Sequence, residues 1–294
     1  MRISVVNHTN GRLSDEEARD GIEAVNRQIT RDFTPRWHLS ATLRLDGAPG
    51  EETPPPLGDG IIYLWGGKVD EALGHHVRRA EGIPFGFVFT ELSRKLKEAW
   101  TVTLSHEALE LIANPAVNLL VAGPHPIDAR KEVFHWYEVC DAVQDETYDV
   151  DGAAVSNFLL PHYFTLDAGP GGRSDFLGRA HDGGLLRPFS INPGGCVGFF
   201  NPETGKHETF ALRGDTRARQ RMRATNEARL ACRATRHKLG TAYAEELRNA
   251  TPPPDDRRRP VLTLVSTRPR VGDEPPREVV MLDQSLPRSA RDLL

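Results

Sequence analysis

The sequence lacks the long apolar runs and the cysteine patterns that mark membrane-spanning and disulfide-rich proteins. No run approaches the roughly 18 apolar residues that a bilayer requires. The first residues, MRISVVNHTNGR, lack the apolar core and the small-residue cleavage site of a secretory signal. Three cysteines, Cys140, Cys196 and Cys232, are too few and too scattered for a disulfide framework or a cysteine-based zinc site. These absences predict a cytoplasmic protein with reduced thiols and no membrane partner.

Charge is unevenly distributed along the 294 residues, whose formal net charge is −4. Residues 1–214 contain 20 Lys and Arg against 30 Asp and Glu, a balance of −10. Residues 215–238 contain 8 against 2, a balance of +6, and residues 239–294 contain 9 of each among many prolines. We therefore expect a folded domain over 1–214, followed over 215–294 by a basic helix and a weakly ordered tail rich in proline and charge.

The hydrophobic pattern predicts an α+β fold, in which a mixed sheet packs on a long N-terminal helix and on a second helix. Ser14 begins a capping box, and the helix that follows carries an apolar stripe until Pro35 stops it. The second helix covers 100–114, and a β-rich segment follows with a hairpin that turns at Asp151-Gly152. The apolar runs that predict strands of the mixed sheet are 2–7, 40–45, 61–65 and 85–90.

The second predicted helix, WTVTLSHEALELIAN, contains the pattern H-E-x-x-E. One helical turn separates His106 from Glu110, so both side chains lie on one face, and Glu107 lies about 100° around the axis from His106. This is the geometry of the H-E-x-x-H zinc-protease helix, with a carboxylate in place of the second imidazole. We expect His106 and Glu110 to bind Zn²⁺ and Glu107 to act as the general base on a water molecule.

A catalytic zinc ion normally has three protein ligands, so this helix needs a partner. Glu138 is the preferred third ligand and His135 is its rival. The arrangement resembles the thermolysin-like proteases, in which a glutamate on a second helix completes the site and a later aspartate accepts a hydrogen bond from a ligand histidine. The resemblance implies that last role for Asp141, although the spacing here is E-x-x-D instead of E-x-x-x-D.

The alternative reading of H-E-x-x-E is an ordinary charged helix face exposed to solvent. The chain offers one comparison, because its other His-Glu pair, His207-Glu208, has Ala211 at the position that corresponds to the second glutamate. A single match, combined with a suitably placed Glu138, favours the metal site over the plain helix.

Five segments of the chain, spread over roughly residues 1–200, resemble a widespread zincin-like family of bacterial and phage proteins. In that family the motif helix also reads S-H-E-x-L-E and is followed by D-P, where this chain has Asn114-Pro115. The resemblance implies a zincin-like fold but no particular substrate. The segments are QITRDFTPRW (28–37), GIPFGFVF (82–89), WTVTLSHEALELIANPAVN (100–118), WYEVCD (136–141) and VSNFLLPHYF (155–164).

Hydrolysis of a peptide also requires a donor that stabilises the oxyanion. His162 and Tyr163 are the first candidates for this catalytic role, ahead of His135 and of a predicted loop that carries His75 and His76. For each of these residues a plain structural role is the alternative.

Substrate binding is expected at a strand. In zincins the edge strand before the metal helix pairs with the extended substrate, and the resemblance assigns this role to Phe85, Gly86, Phe87 and Val88. A plain core strand is the alternative.

The sequence therefore predicts a zinc-dependent hydrolase, first of all a metallopeptidase that acts on a peptide or protein substrate. A second hypothesis is a non-catalytic, metal-stabilised zincin-like domain that serves as an assembly or binding component. A third is nucleic-acid binding through 215–238, which is less favoured because no aromatic residues interleave with its arginines as stacking platforms. No feature of the sequence specifies an oligomeric state.

Overall fold

The chain has a mixed α/β fold, with few helices, two large sheets and one separate hairpin. The computed structural model describes residues 1–46, 59–66, 84–115, 118–166 and 172–212, together with the backbone of three further strands at 74–78, 261–265 and 281–283. Its helices are α1 (Asp15–Gln28), α2 (Thr34–Trp37), α3 (Thr90–Lys95) and α4 (Trp100–Ala113). Shorter helical turns are the π-helical turn Ile29–Phe33 and the 3₁₀ turns Asp141–Val143 and Pro161–Phe164.

The first sheet has the strand order β2-β1-β3-β5-β4. Its strands are β1 (Arg2–His8), β2 (Thr42–Leu45), β3 (Gly60–Trp65), β4 (Gly74–Arg78) and β5 (Pro84–Phe89). The first four strands in the order are parallel, and β4 is antiparallel to β5 at the edge. Alternation along the strands places Val5, Ile62 and Val88 in the main core, whereas Tyr63 and Phe87 pack in a separate aromatic cluster.

The helix α1 forms as predicted, with a complete capping box between Ser14 and Glu17. Pro35, however, does not stop the helical path, and that prediction was wrong. The chain continues through the π-helical turn into α2, and Pro35 occupies the first turn of α2. The path ends at His38, whose φ of 54° is left-handed.

The second sheet has the strand order β11-β10-β7-β6-β12-β13. Its strands are β6 (Leu119–Pro124), β7 (Glu132–Trp136), β10 (Cys196–Asn201), β11 (Lys206–Ala211), β12 (Val261–Val265) and β13 (Met281–Asp283). The separate hairpin joins β8 (Thr147–Val150) to β9 (Ala153–Ser156) and turns, as predicted, at Asp151 and Gly152, which both have positive φ.

Two strands lie in the segment that was predicted to be a weakly ordered tail. β12 pairs in parallel with β6, and β13 pairs with β12, so the second sheet takes residues from both sides of the boundary predicted at residue 214. The predicted basic helix at 215–238 lies outside the described residues. The predicted loop with His75 and His76 is in fact strand β4. No helix within the described ranges is long and apolar enough to cross a bilayer.

The helix α4 is the centre of the packing, because 12 of its 14 residues are buried. It approaches α1 closely at Gly21. A Cβ atom at Gly21 would lie 2.7 Å from Cζ2 of Trp100 and 2.9 Å from Cγ2 of Thr101, both on α4. The missing side chain therefore sets how closely the two helices approach.

We predict that Gly21→Ala destabilises the protein. In a free helix this change stabilises by roughly 0.5–1 kcal/mol, but here the added methyl group collides with the rigid Trp100 ring and overpacks the contact, which costs about 1–3 kcal/mol. Urea unfolding measures the net loss. Asp20→Ala, at an exposed neighbour on α1, is the control and should stay within about 0.5 kcal/mol of wild type. A Gly21→Ala protein as stable as the Asp20→Ala protein would contradict the close approach.

Candidate metal centre

Three side chains from two separate parts of the chain converge beside α4. The ligand atoms of His106, Glu110 and Asp141 all lie within 4.8 Å of one another. Nε2 of His106 lies 3.2 Å from Oε2 of Glu110 and 3.6 Å from Oδ1 of Asp141. The cluster contains one imidazole and two carboxylates, a donor set that suits a divalent cation.

The helical spacing places the first two members. His106 and Glu110 are one turn apart on α4, so their side chains project from the same face, as the sequence predicts. Asp141 reaches the same place because Glu110 also binds the backbone beside it: the amide of Cys140 donates a hydrogen bond of 3.1 Å to Oε1 of Glu110. The two oxygens of Glu110 thus hold the later segment and face His106 at the same time.

Burial and charge act in opposite directions on His106. The side chains of His106, Glu110 and Asp141 are 16%, 4% and 5% exposed, so the cluster is largely shielded from water. Burial disfavours a charged imidazole, but the charge of Glu110, hydrogen bonds with Asp141 and Glu110 and the charge of Glu107 outweigh it and raise the pKa of His106 well above its usual value. A metal ligand must be a neutral imidazole, so an ion would displace this proton.

The observed spacings fit a small tetrahedral cation. With metal–ligand bonds of about 2.0–2.1 Å, two ligand atoms of a tetrahedral zinc site lie roughly 3.3–3.4 Å apart. The distances of 3.2 and 3.6 Å from His106 to the two carboxylates bracket that value. These two separations are therefore compatible with the ion that the motif predicts, and the third pair of ligand atoms lies within 4.8 Å.

Asp141, not Glu138, joins the cluster. Among the described residues, the group that could hold a metal contains His106, Glu110 and Asp141 and does not include Glu138. The expectation depended on a second helix through 136–141, but β7 ends at Trp136 and the chain runs irregularly to the 3₁₀ turn that begins at Asp141. In this irregular segment helical spacing does not apply, and the residue expected to support a ligand is itself in ligand position.

His135, the predicted rival ligand, lies away from the cluster in the core of the second sheet. It is 2% exposed, its Nε2 lies 2.9 Å from the carbonyl oxygen of Pro124, and its ring packs between those of Phe189 and Phe199. Its Nδ1 is buried without a hydrogen-bond partner among the described residues. Burial lowers the pKa of His135 to about 4, against the opposing effect of the Pro124 carbonyl.

Tyr163 and His162, the predicted oxyanion donors, lie on the 3₁₀ turn Pro161–Phe164. Tyr163 is 1% exposed, and its hydroxyl donates a hydrogen bond of 2.8 Å to the carbonyl oxygen of Ser190. Burial, followed by the charge of Asp141, raises the pKa of Tyr163. The phenol is therefore close enough to Asp141 for the charge of that carboxylate to act on it, but its hydroxyl proton is already donated to Ser190. His162 is partly exposed.

Phe85, Gly86, Phe87 and Val88, the predicted substrate edge, do not form an edge. They belong to β5, which pairs with β3 on one side and with β4 on the other. β5 is thus an inner strand, because the segment with His75 and His76, which was predicted to be a loop, forms β4 and pairs beside it. The sheet edge next to β5 is β4.

One buried polar network was not predicted at all. The carboxylate of Glu146 accepts hydrogen bonds from Asn157 and Asn192 and lies 2.7 Å from Nε2 of His181, and Asn157 also donates to Asp175. These residues are far apart in the sequence and follow no periodic pattern, so no motif announces them. The network ties the irregular segments after the hairpin to the 3₁₀ turn that carries Asp141.

No protein-family model, curated protein or solved structure matches the chain.

The depressed pKa of His135 predicts a loss of stability in acid. Between about pH 6.5, the unfolded value, and pH 4 the unfolded chain binds a proton that the native state does not, so acid favours unfolding. We expect His135 to cost about 2 kcal/mol between pH 7 and pH 5. Urea unfolding of wild type and of His135→Phe at both pH values measures this, since the variant lacks that share of the slope. Exposed His207, changed to Gln, is the control, and equal slopes in all three proteins would refute the assignment.

Proposed function

We propose that this chain is a zinc-dependent hydrolase of the metallopeptidase type, with the ion held by His106, Glu110 and Asp141 and with Glu107 as the general base. The observation that carries the proposal is the convergence of three ligand atoms within 4.8 Å on two segments of chain, beside a helix that also presents Glu107. When bound, zinc supplies Lewis-acid activation of a water molecule and of the scissile carbonyl. The remaining work belongs to the side chains.

In this proposal Glu107 moves the proton. It follows His106 directly on α4 and is 5% exposed, and its negative charge reaches His106. In this proposal Glu107 accepts the proton from the attacking water and passes it to the leaving amine. His106 contributes as the neutral ligand, and the two carboxylates balance the charge of the ion.

The sheet supplies a place for an extended peptide. Among the described strands β4 is the edge of the first sheet and is antiparallel to β5, so its outer N–H and C=O groups face away from β5. An extended substrate can add to such an edge by main-chain hydrogen bonds. In this proposal β4 takes the substrate-binding role that the resemblance to zincins first gave to β5. The first sheet and α4 are the parts of the fold that support the zincin-like assignment.

A second candidate function is a metal-stabilised domain without catalysis, acting as an assembly or binding component. The burial of the cluster favours this second candidate. The hydroxyl of Tyr163 donates its hydrogen bond to the carbonyl oxygen of Ser190, and Glu107 is almost fully shielded from solvent. Two carboxylate ligands also reduce the positive charge of the site, which weakens a metal ion as a Lewis acid. In this case the ion would serve to clamp the segment at Asp141 onto α4.

The test of the metal site is zinc content and zinc affinity of the purified full chain. Wild type should hold one zinc ion, and His106→Ala and Asp141→Asn should each lose it. Glu138→Gln, which changes an acidic residue three positions before Asp141 that lies outside the cluster, is the matched control and should keep the ion. If wild type takes up no zinc, both candidate functions are wrong. If Glu138→Gln loses the ion and Asp141→Asn keeps it, the ligand set proposed here is wrong.

Turnover separates the two candidates. Against a library of denatured proteins and short peptides, with chelator controls, Glu107→Gln should keep its zinc and lose roughly 10²–10⁴ in rate, because it can no longer accept a proton. A protein that holds zinc, cleaves nothing in the library, and loses thermal stability when zinc is removed would support the non-catalytic domain.

A further inference from the structure

A closed ring of hydrogen bonds lies beneath the motif and joins three elements of the fold. The hydroxyl of Ser105 on α4 donates to Oε1 of Gln28, the last residue of α1, over 2.7 Å. Nε2 of Gln28 donates to the carbonyl oxygen of Ser156 on β9 over 2.8 Å, and the amide of Ser156 donates back to the Ser105 hydroxyl over 3.1 Å. All three residues are 0% exposed.

Hydrophobic burial does not by itself fix how α4 is rotated about its axis. Nearly every residue of the helix is buried, so apolar side chains lie on all its sides, and apolar contact has no preferred direction. The residue before the helix, Ala99, offers no polar side chain as a cap. Directional contacts therefore choose the rotation. The Gln28 ring satisfies only one rotation of α4 because a buried polar group left unpaired is costly, and the hydroxyl of Thr101, which donates to the carbonyl oxygen of Ala154 over 2.7 Å, adds a second directional contact between α4 and β9.

The rotation matters because the ring is next to the proposed ligands. Ser105 immediately precedes His106, and Glu110 follows one turn later. A rotation of 20° moves a side-chain tip about 5–6 Å from the axis by roughly 2 Å. That displacement would destroy the spacing of 3.6 Å between Nε2 of His106 and Oδ1 of Asp141, whereas His106 and Glu110 would move together on α4.

We infer that Gln28 is a positioning residue for the metal centre: through Ser105 it fixes the rotation of α4 and so aims His106 and Glu110 at Asp141. The inference rests on the proposed metal site. It adds to that site a residue 78 positions before His106, and the hydrogen bonds of Gln28 in the ring go to Ser105 and Ser156 and not to a ligand. Gln28 acts on the ion only through the helix, so its removal should loosen zinc without removing any ligand.

Asn26 provides a matched control on the same helix. Its side-chain amide also makes two hydrogen bonds to one strand residue, donating to the carbonyl oxygen of Leu43 over 2.9 Å and accepting from its amide over 2.8 Å. These bonds join α1 to β2 and do not involve α4. Asn26→Leu and Gln28→Met thus each remove one donated and one accepted side-chain hydrogen bond of α1, with a side chain of similar size, and Gln28→Met also removes a contact with the hydroxyl of Tyr148.

The experiment measures zinc affinity by competition with a chromophoric chelator, and thermal midpoints, on the full-length variants. Gln28→Met should bind zinc about tenfold more weakly than wild type, whereas Asn26→Leu should lose thermal stability but bind zinc within twofold of wild type. Ser105→Ala, which removes only the hydroxyl, should repeat the effect and serves in place of Gln28→Met if that variant fails to fold. In the metal-free state, the double variant Gln28→Met/Ser105→Ala should lose no more in thermal midpoint than the less stable of its two single variants, because both changes break the same ring.

The outcomes distinguish this inference from the proposed function. If wild type binds zinc and Gln28→Met or Ser105→Ala binds it as tightly as Asn26→Leu does, the ring is structural only and the positioning role is wrong. If wild type takes up no zinc, the metal site fails and the positioning role fails with it.

Discussion

The carboxylate of Glu110 is the contact on which the rest of the site depends. A buried negative charge is tolerated only when both of its oxygens find partners, and Glu110 has one partner on each side: the amide of Cys140 and the imidazole of His106. The first contact brings the irregular segment after β7 against α4, and the second holds the histidine. Without Glu110 the segment would lose its hydrogen bond from Cys140 to α4, next to the residue that meets His106.

The parts of this fold that follow from local rules could be predicted from the sequence. The capping box at Ser14, the turn at Asp151-Gly152 and the helix that carries His106 and Glu110 each depend on residues within a few positions of one another. The parts that failed depend on distant partners. Whether Phe87 lies on an edge or inside a sheet is decided by the strand that pairs beside it, and the choice between two acidic residues three apart is decided by which one the backbone turns toward α4. Spacing carries no such information in an irregular segment.

The same balance of charges gives His106 two alternative partners. Two carboxylates and a nearby Glu107 attract positive charge into a largely shielded place, and either a proton on the imidazole or a divalent ion can supply it. The raised pKa of His106 and the suitability of the cluster for a cation therefore have the same cause, which is the negative charge of the nearby carboxylates. One carboxylate is enough to form an ion pair with a protonated His106. The second carboxylate, Asp141, therefore favours the hypothesis that the cluster binds a cation.

The parallel pairing of β12 with β6 has a consequence for the order in which the protein is completed. Leu119 pairs with Thr263, so the strand that follows the motif helix cannot acquire that neighbour until the ribosome has added more than 140 further residues. His106, Glu110 and Asp141 all emerge long before. During synthesis the residues of the candidate site can thus assemble while one flank of β6 still lacks its final strand, a period in which an unpaired strand edge is open to wrong partners.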